Sequence, residues 1–232
     1  MDKTAHVVKI LKENRDFFSR VIDIELSNKN VHVLDLSEMN SELYQIDIDD
    51  TEVLTNFIFD TIRKNKKKVG VGGYFEDRLI YKRSKHFDND GEPRSIHLGI
   101  DIWIEAGTPI YSPLPGIVHS YNNNTTYGDY GPTLILEHLI EGETFYTLYG
   151  HLSIESIEDK RKGQQVRRGD VIAKVGDEKV NGNWPPHLHL QVITDLLGNE
   201  GDFPGVAPPS AKEYFHKLCV DPNLILKIDA LK

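Results

Sequence analysis

Apolar residues in the first quarter of the chain recur at roughly helical spacing. Val7, Val8, Ile10, Leu11, Phe17, Phe18, Val21 and Ile22 follow one another this way, with polar residues between them leaving a solvated face, so helical structure is expected through Ile22. The run V-H-V-L-D-L, Val31 to Leu36, reads as a short strand. Asp50 stands where an N-cap belongs, ahead of a helical stripe of Leu54, Phe57, Ile58 and Ile62. The basic residues Arg63 to Lys68 then complement the dipole at that helix's C-terminal end.

From Val69 the pattern changes. Short apolar runs alternate with clusters of Gly, Pro, Asn and Asp: V-G-V-G-G-Y, R-L-I-Y-K, H-L-G-I-D-I-W-I, G-I-V-H-S-Y, P-T-L-I-L-E-H, T-F-Y-T-L-Y-G-H, D-V-I-A-K-V-G and H-L-H-L-Q-V-I. Strands at this density, with hairpin-type breaks at Glu141-Gly142 and Arg168-Gly169-Asp170, predict a mainly β fold, an antiparallel sandwich or barrel-like domain. The expected organisation is a helical and mixed segment over residues 1–68 packed against a β-rich domain over residues 69–232.

Charge and composition narrow the chemistry. Against 36 acidic residues the 232-residue chain has 27 Lys and Arg, a formal charge of -9, which disfavours nucleic acid as the main partner and tight binding to anionic lipid. A single cysteine, Cys219, excludes an intramolecular disulfide and a cysteine-based zinc finger. No stretch approaches the roughly 18–20 apolar residues of a membrane span. The first residues lack the apolar run of a secretory signal, so the chain as written is expected in the cytoplasm, or outside it if a longer precursor exists. Nothing in the pattern specifies an oligomeric state.

His187 and His189 lie one residue apart at the start of a strand, where residues i and i+2 share a face about 6–7 Å apart. Without cysteines, a catalytic zinc takes three ligands from His, Asp and Glu and keeps a position for water. His-Glu-x-x-His is absent, which removes the helix-based metalloproteases. His97 and Asp101, in H-L-G-I-D, would be about 13 Å apart on a straight strand. To share an ion they need a bend, and Gly99 is where one is expected, with Leu98, Ile100 and Ile102 toward the core. His151, in L-Y-G-H-L-S, is a third candidate. Together these residues can supply both a ligand set and a general acid/base pair; spacing alone leaves open whether His187 or His189 meets the metal.

The motifs also stand in a familiar order. His-x-Gly-x-Asp is followed by A-G-T-P-I-Y-S-P-L-P-G-I-V, L-I-L-E-H, L-Y-G-H-L-S, G-Q-x-V-x-x-G-D-V-I-A-x-V-G and finally H-L-H. From about Ile96 to Val192 this resembles the lysostaphin/LytM-type zinc metallopeptidases. The resemblance implies one Zn2+ held by His97, Asp101 and His189, with His151 and His187 as catalytic histidines. His138 falls where the family commonly has a histidine without a catalytic role, and His6, His32, His86, His119 and His216 match nothing. The implied activity is zinc-dependent endopeptidase or amidase hydrolysis of peptidoglycan-type or other small peptides. Two departures stand out: Pro185-Pro186 before the histidine pair, and Gln191 where a glutamate is usual. The stretch beyond Val192 resembles a branch in which such a domain accompanies an aminotransferase and a kinase-like domain, so hydrolysis of a small intracellular amide is one alternative. A non-enzymatic LytM-like binding or regulatory module is the other.

Overall fold

Alternating runs become strands where one face can join a common core. The computed structural model describes residues 2–88 and 92–231, and these hold thirteen strands. In chain order they are β1 (Val31–Val33), β2 (Val69–Gly72), β3 (Ile96–His97), β4 (Ile100–Trp103), β5 (Pro109–Tyr111), β6 (Gly116–Asn124) and β7 (Gly131–Ile140). There follow β8 (Glu143–Gly150), β9 (Gln165–Val166), β10 (Val171–Lys174), β11 (His187–Ile193), β12 (Val206–Ala207) and β13 (Cys219–Val220).

Nine of them form one mixed sheet in the order β1-β2-β4-β11-β8-β7-β6-β9, with β13 also pairing to β11. The β1–β2 pair is parallel and the other pairs are antiparallel. Two small sheets, β10-β5 and β12-β3, complete the fold, which is mainly β with no closed barrel among the described residues. Val69, Val71, Ile100, Ile102, Leu134, Leu136, Leu188 and Leu190 turn one face of the large sheet into the main core with Ile110, Val118, Ile172 and Val175. Residues of alternate parity on β4 and β11, namely Asp101, Trp103, His187 and His189, are left for the other face.

Several expectations hold. Glu141 and Gly142, both at positive φ, turn β7 into β8. β3 stops at His97 and β4 starts at Ile100, so the chain breaks at Leu98-Gly99 as the spacing requires. A helix α2 (Thr51–Lys64) is capped by the Asp50 side chain, which accepts from the amides of Glu52 and Val53. Leu54, Ile58 and Ile62 of α2 pack on Leu34, Leu36, Leu79, Ile80, Trp103 and Trp184.

Other expectations are corrected. The first helix, α1 (Lys3–Glu13), stops well before Ile22. Beyond it the amide of Ser19 donates to the Pro113 carbonyl and the Val21 carbonyl accepts from Tyr111, pairings that hold this segment against the loop around β5 instead of continuing the helix. R-L-I-Y-K is a 3-10 turn, Leu79–Arg83, and not a strand. Arg78, Leu79, Ile80 and Tyr81 are all buried, so the alternation a half-exposed strand needs is missing. The Arg168-Gly169-Asp170 break joins β9 to β10, which pair with different partners, so it is not a hairpin.

Candidate metal centre

One transverse row of the large sheet carries the centre. Gly72 of β2 pairs with Asp101 of β4, Asp101 with His189 of β11, and His189 with Gly150 of β8. The two glycines flanking the Asp101–His189 pair leave room for side chains that could not otherwise approach. A Cβ on Gly72 would lie 2.2 Å from Arg78 Nη2, and one on Gly150 would lie 2.5 Å from the Tyr130 ring. Their absence lets Arg78 reach Asp101 and Tyr130 reach His189.

His97, just ahead of the Gly99 break, is brought onto the same point. Its Nε2 lies 3.0 Å from His189 Nδ1 and 3.2 Å from Asp101 Oδ1, and His189 Nδ1 lies 3.1 Å from that same Oδ1. Metal bonds of about 2.0–2.2 Å at tetrahedral angles set neighbouring donors about 3.3 Å apart, so the triangle has the right size for a zinc ion.

Tautomers sharpen the fit. A carbonyl oxygen can only accept, so His97 Nδ1, 2.8 Å from the Gly73 carbonyl, carries the proton and Nε2 presents a lone pair inward. His189 Nε2 lies 3.1 Å from Gln191 Oε1. The Gln191 amide is oriented by its Nε2, which donates to the Pro204 carbonyl, so Oε1 accepts from His189 and Nδ1 is the inward lone pair. Burial, reinforced by Arg78, pushes His97 down to about 3, so it is neutral at ordinary pH. Burial opposes ionisation of Asp101, yet the permanently charged Arg78 beside it holds its carboxyl well below the usual range. Three acceptors thus crowd together with no proton to share, the situation a cation relieves.

His187 and His151 stand beside this triangle. Their rings are 4.1 Å apart, and His187 Nε2 is 3.9 Å from Asp101 Oδ1. Each has Nδ1 fixed outward, His187 to the Pro185 carbonyl at 2.8 Å and His151 to the Asn181 carbonyl at 2.8 Å. Pro185 therefore supplies the acceptor that orients His187, while the Asn181 side chain ties the same loop to both backbone groups of Trp184. Trp103 stacks on His187 at 4.1 Å. His151 has a φ of 61°, a left-handed conformation that turns its side chain out of the β8 line. Burial lowers His187 to about 4 and His151 well below its ordinary value, leaving both as neutral bases.

Asp101, His151, His187 and His189 line a cavity of about 210 Å³, whose walls include Tyr81, Phe87, Arg94, Trp184, Phe203 and Val206, and fully buried His97 lies behind Asp101 and His189. All five residues singled out from sequence therefore meet in one place. His138 does not join them; it is buried elsewhere, between the Pro115 carbonyl and Thr147. Sequence reasoning missed Arg78, which bonds Asp101, and Asn181, which orients His151. It also missed His86 at the cavity wall, 3.9 Å from Asp129. Only the Asn181 loop carried a signal, through its neighbouring glycine and prolines.

Comparison with known proteins places this centre in context. Residues 95–200 match the profile of Peptidase family M23. Over 98 residues the chain is 36% identical to the peptidoglycan DD-endopeptidase ShyA of Vibrio cholerae, covering 42% of this chain and 20% of that protein. The chain thus spans about a fifth of the length of this curated relative. Among solved structures, a zinc-containing peptidase from Vibrio cholerae is 33% identical, over 42% of this chain and 27% of that one, with a TM-score of 0.33. The catalytic domain of lysostaphin from Staphylococcus simulans is 22% identical, over 65% of this chain and 93% of its own, with a TM-score of 0.41.

Proposed function

We infer, from the match of residues 95–200 to the profile of peptidase family M23 and the LytM/lysostaphin order of the motifs, that the protein is a zinc-dependent endopeptidase acting on peptidoglycan-type or other short peptides. The observation that carries this reading is the buried triangle of two inward imidazole lone pairs and one carboxylate oxygen. His97, Asp101 and His189 would hold the ion and leave a position open toward the cavity. Bound there, zinc supplies a Lewis acid that acidifies water and polarises an amide carbonyl.

The remaining steps fall to the chain's own side chains. His151 and His187 begin neutral, with Nδ1–H fixed outward, so each offers Nε2 as proton acceptor within the cavity. One takes the proton of the attacking water and returns it to the leaving amine, which would otherwise depart as an unstable anion. The imidazolium formed in between stabilises the oxyanion of the tetrahedral intermediate. Trp103 at its face keeps His187 from swinging away, and the Pro185 carbonyl fixes its tautomer. The apolar and aromatic walls exclude bulk water, which strengthens each of these interactions.

The size of the cavity favours a short peptide segment or small amide as the group held at the metal. A regulatory module without activity would have no use for the oriented His151 and His187. We assign residues 69–232 as the peptidase unit, with residues 1–68 as a segment that buttresses it.

The test is direct. Protein purified without added zinc should hold about one equivalent, lost in His97→Ala and Asp101→Ala. His187→Ala should keep the metal and lose hydrolysis, whereas His189→Ala should lose both. Cleavage would be measured on cross-linked muropeptides, glycyl peptides and gamma-glutamyl amides. A metal-free wild type, or loss of metal in His187→Ala with retention in His189→Ala, would sink the assignment.

A further inference from the structure

Arg78 lies outside the stretch that matches the peptidase family, in the segment that leads from β2 into the 3-10 turn Leu79–Arg83. It is 1% exposed, more buried than every one of the five site residues except His97. Its guanidinium is held on three sides: Nε donates to Glu76 Oε2 at 2.8 Å, and Nη1 donates both to the Tyr81 hydroxyl at 3.2 Å and to Asp101 Oδ2 at 2.5 Å. Glu76 is anchored in turn, its Oε1 accepting from the Leu36 amide at 3.0 Å. Asp101 is therefore divided. Oδ1 faces His97, His187 and His189, while Oδ2 is occupied by Arg78.

We propose that Arg78 is a positioning residue of the metal centre, holding Oδ2 so that Asp101 presents a single oxygen to the ion. The proposal rests on the metallopeptidase reading above. A carboxylate free at both oxygens can rotate or grip a cation with both, which changes the donor number and closes the position that water and substrate need. Arginine suits the task because its planar fork engages several acceptors in one fixed geometry, which a lysine ammonium cannot do. Gly72 belongs to the same device. It sits opposite Asp101 in the sheet, and Nη2 occupies the space its missing side chain leaves. Both Nη2 and the neighbouring Trp103 Nε1 lack a hydrogen-bond partner in the protein, so the guanidinium is held here by Asp101, Glu76 and Tyr81 and not by contacts on its far side.

The experiment uses the full chain and two readouts independent of hydrolysis: zinc affinity by competition with a chromophoric chelator, and the visible absorption of the cobalt-loaded protein. Arg78→Met should weaken zinc binding about 10–100-fold, the usual effect of removing an outer partner of a metal ligand. Its cobalt bands should also lose intensity as the released Oδ2 raises the coordination number. Arg78→Lys should fall between the two. Gly72→Ala keeps Arg78 but its methyl group displaces the guanidinium, and it should shift the cobalt spectrum in the same direction. If circular dichroism shows Arg78→Met unfolded, Arg78→Lys and Gly72→Ala decide. Wild-type affinity and an unchanged spectrum in the folded variants would overturn the proposal while leaving the metal site standing. A wild-type protein that binds neither ion would overturn the site and this proposal together.

Discussion

Gln191 is fully buried, with Oε1 toward His189 and Nε2 3.2 Å from both the Pro204 carbonyl and the Cys219 sulfur. Burial raises the Cys219 thiol to about 12, so Gln191 meets an uncharged neighbour. A glutamate here would replace a donor with an acceptor facing the Pro204 carbonyl. Gln191→Glu should cost about 1–3 kcal/mol in urea unfolding, the penalty for a buried polar group left without its partner. An unchanged midpoint would mean that the pocket rearranges. Gln191 was legible in the sequence as a departure because it stands inside a recognisable motif. Arg78 was not, since 23 residues and a change of element separate it from Asp101, and no periodicity links the two. The Asn181 carbonyl is an intermediate case: glycine and prolines mark its loop, but a backbone acceptor is announced by no residue type.

Among the elements, the strands with the plainest alternation were the most readable: β4, β7, β8 and β11 follow their apolar runs closely. The failures have a common origin, in that helix ends and turns answer to partners elsewhere in the fold. Val21 and Ile22 are buried without being helical, and the 3-10 turn Leu79–Arg83 follows directly on Arg78, whose guanidinium is buried against Asp101. Helix α2 was readable from both ends, through the Asp50 cap and the basic last turn. Asp50→Ala should lower stability by about 1 kcal/mol, measured by urea denaturation, because two amides at the helix start lose their acceptor. Little change in metal content is expected, since α2 meets the centre through packing on Trp103 and Trp184 and through the Thr51 hydroxyl, which donates to the Asn183 carbonyl, and the Asp50 side chain makes neither contact.

For the molecule as a whole, the division at residue 68 separates textures more than it separates packing. β1 from the first segment pairs along β2, and one apolar cluster joins Leu34, Leu36 and α2 to Trp103 and Trp184. No described helix is long and apolar enough to cross a membrane. Buried histidines also govern the response of the fold to acid. His138 and His187 are lowered to about 4, and His97 to about 3, all by burial first. Below the ordinary value of 6.5 the unfolded chain takes up protons that these rings refuse, so the metal-stripped protein should lose stability as pH falls from about 6.5 to about 4. Above about 6.5 both states bind equally and this contribution is flat. Urea midpoints at several pH values would show the slope, and His138→Gln, remote from the candidate centre, should reduce it. Finally, the chain has two tryptophans, one stacked on His187 and one in the cavity wall. All indole fluorescence therefore originates at the centre, so the unlabelled protein can report the arrival of an ion, a peptide or a proton by its own emission.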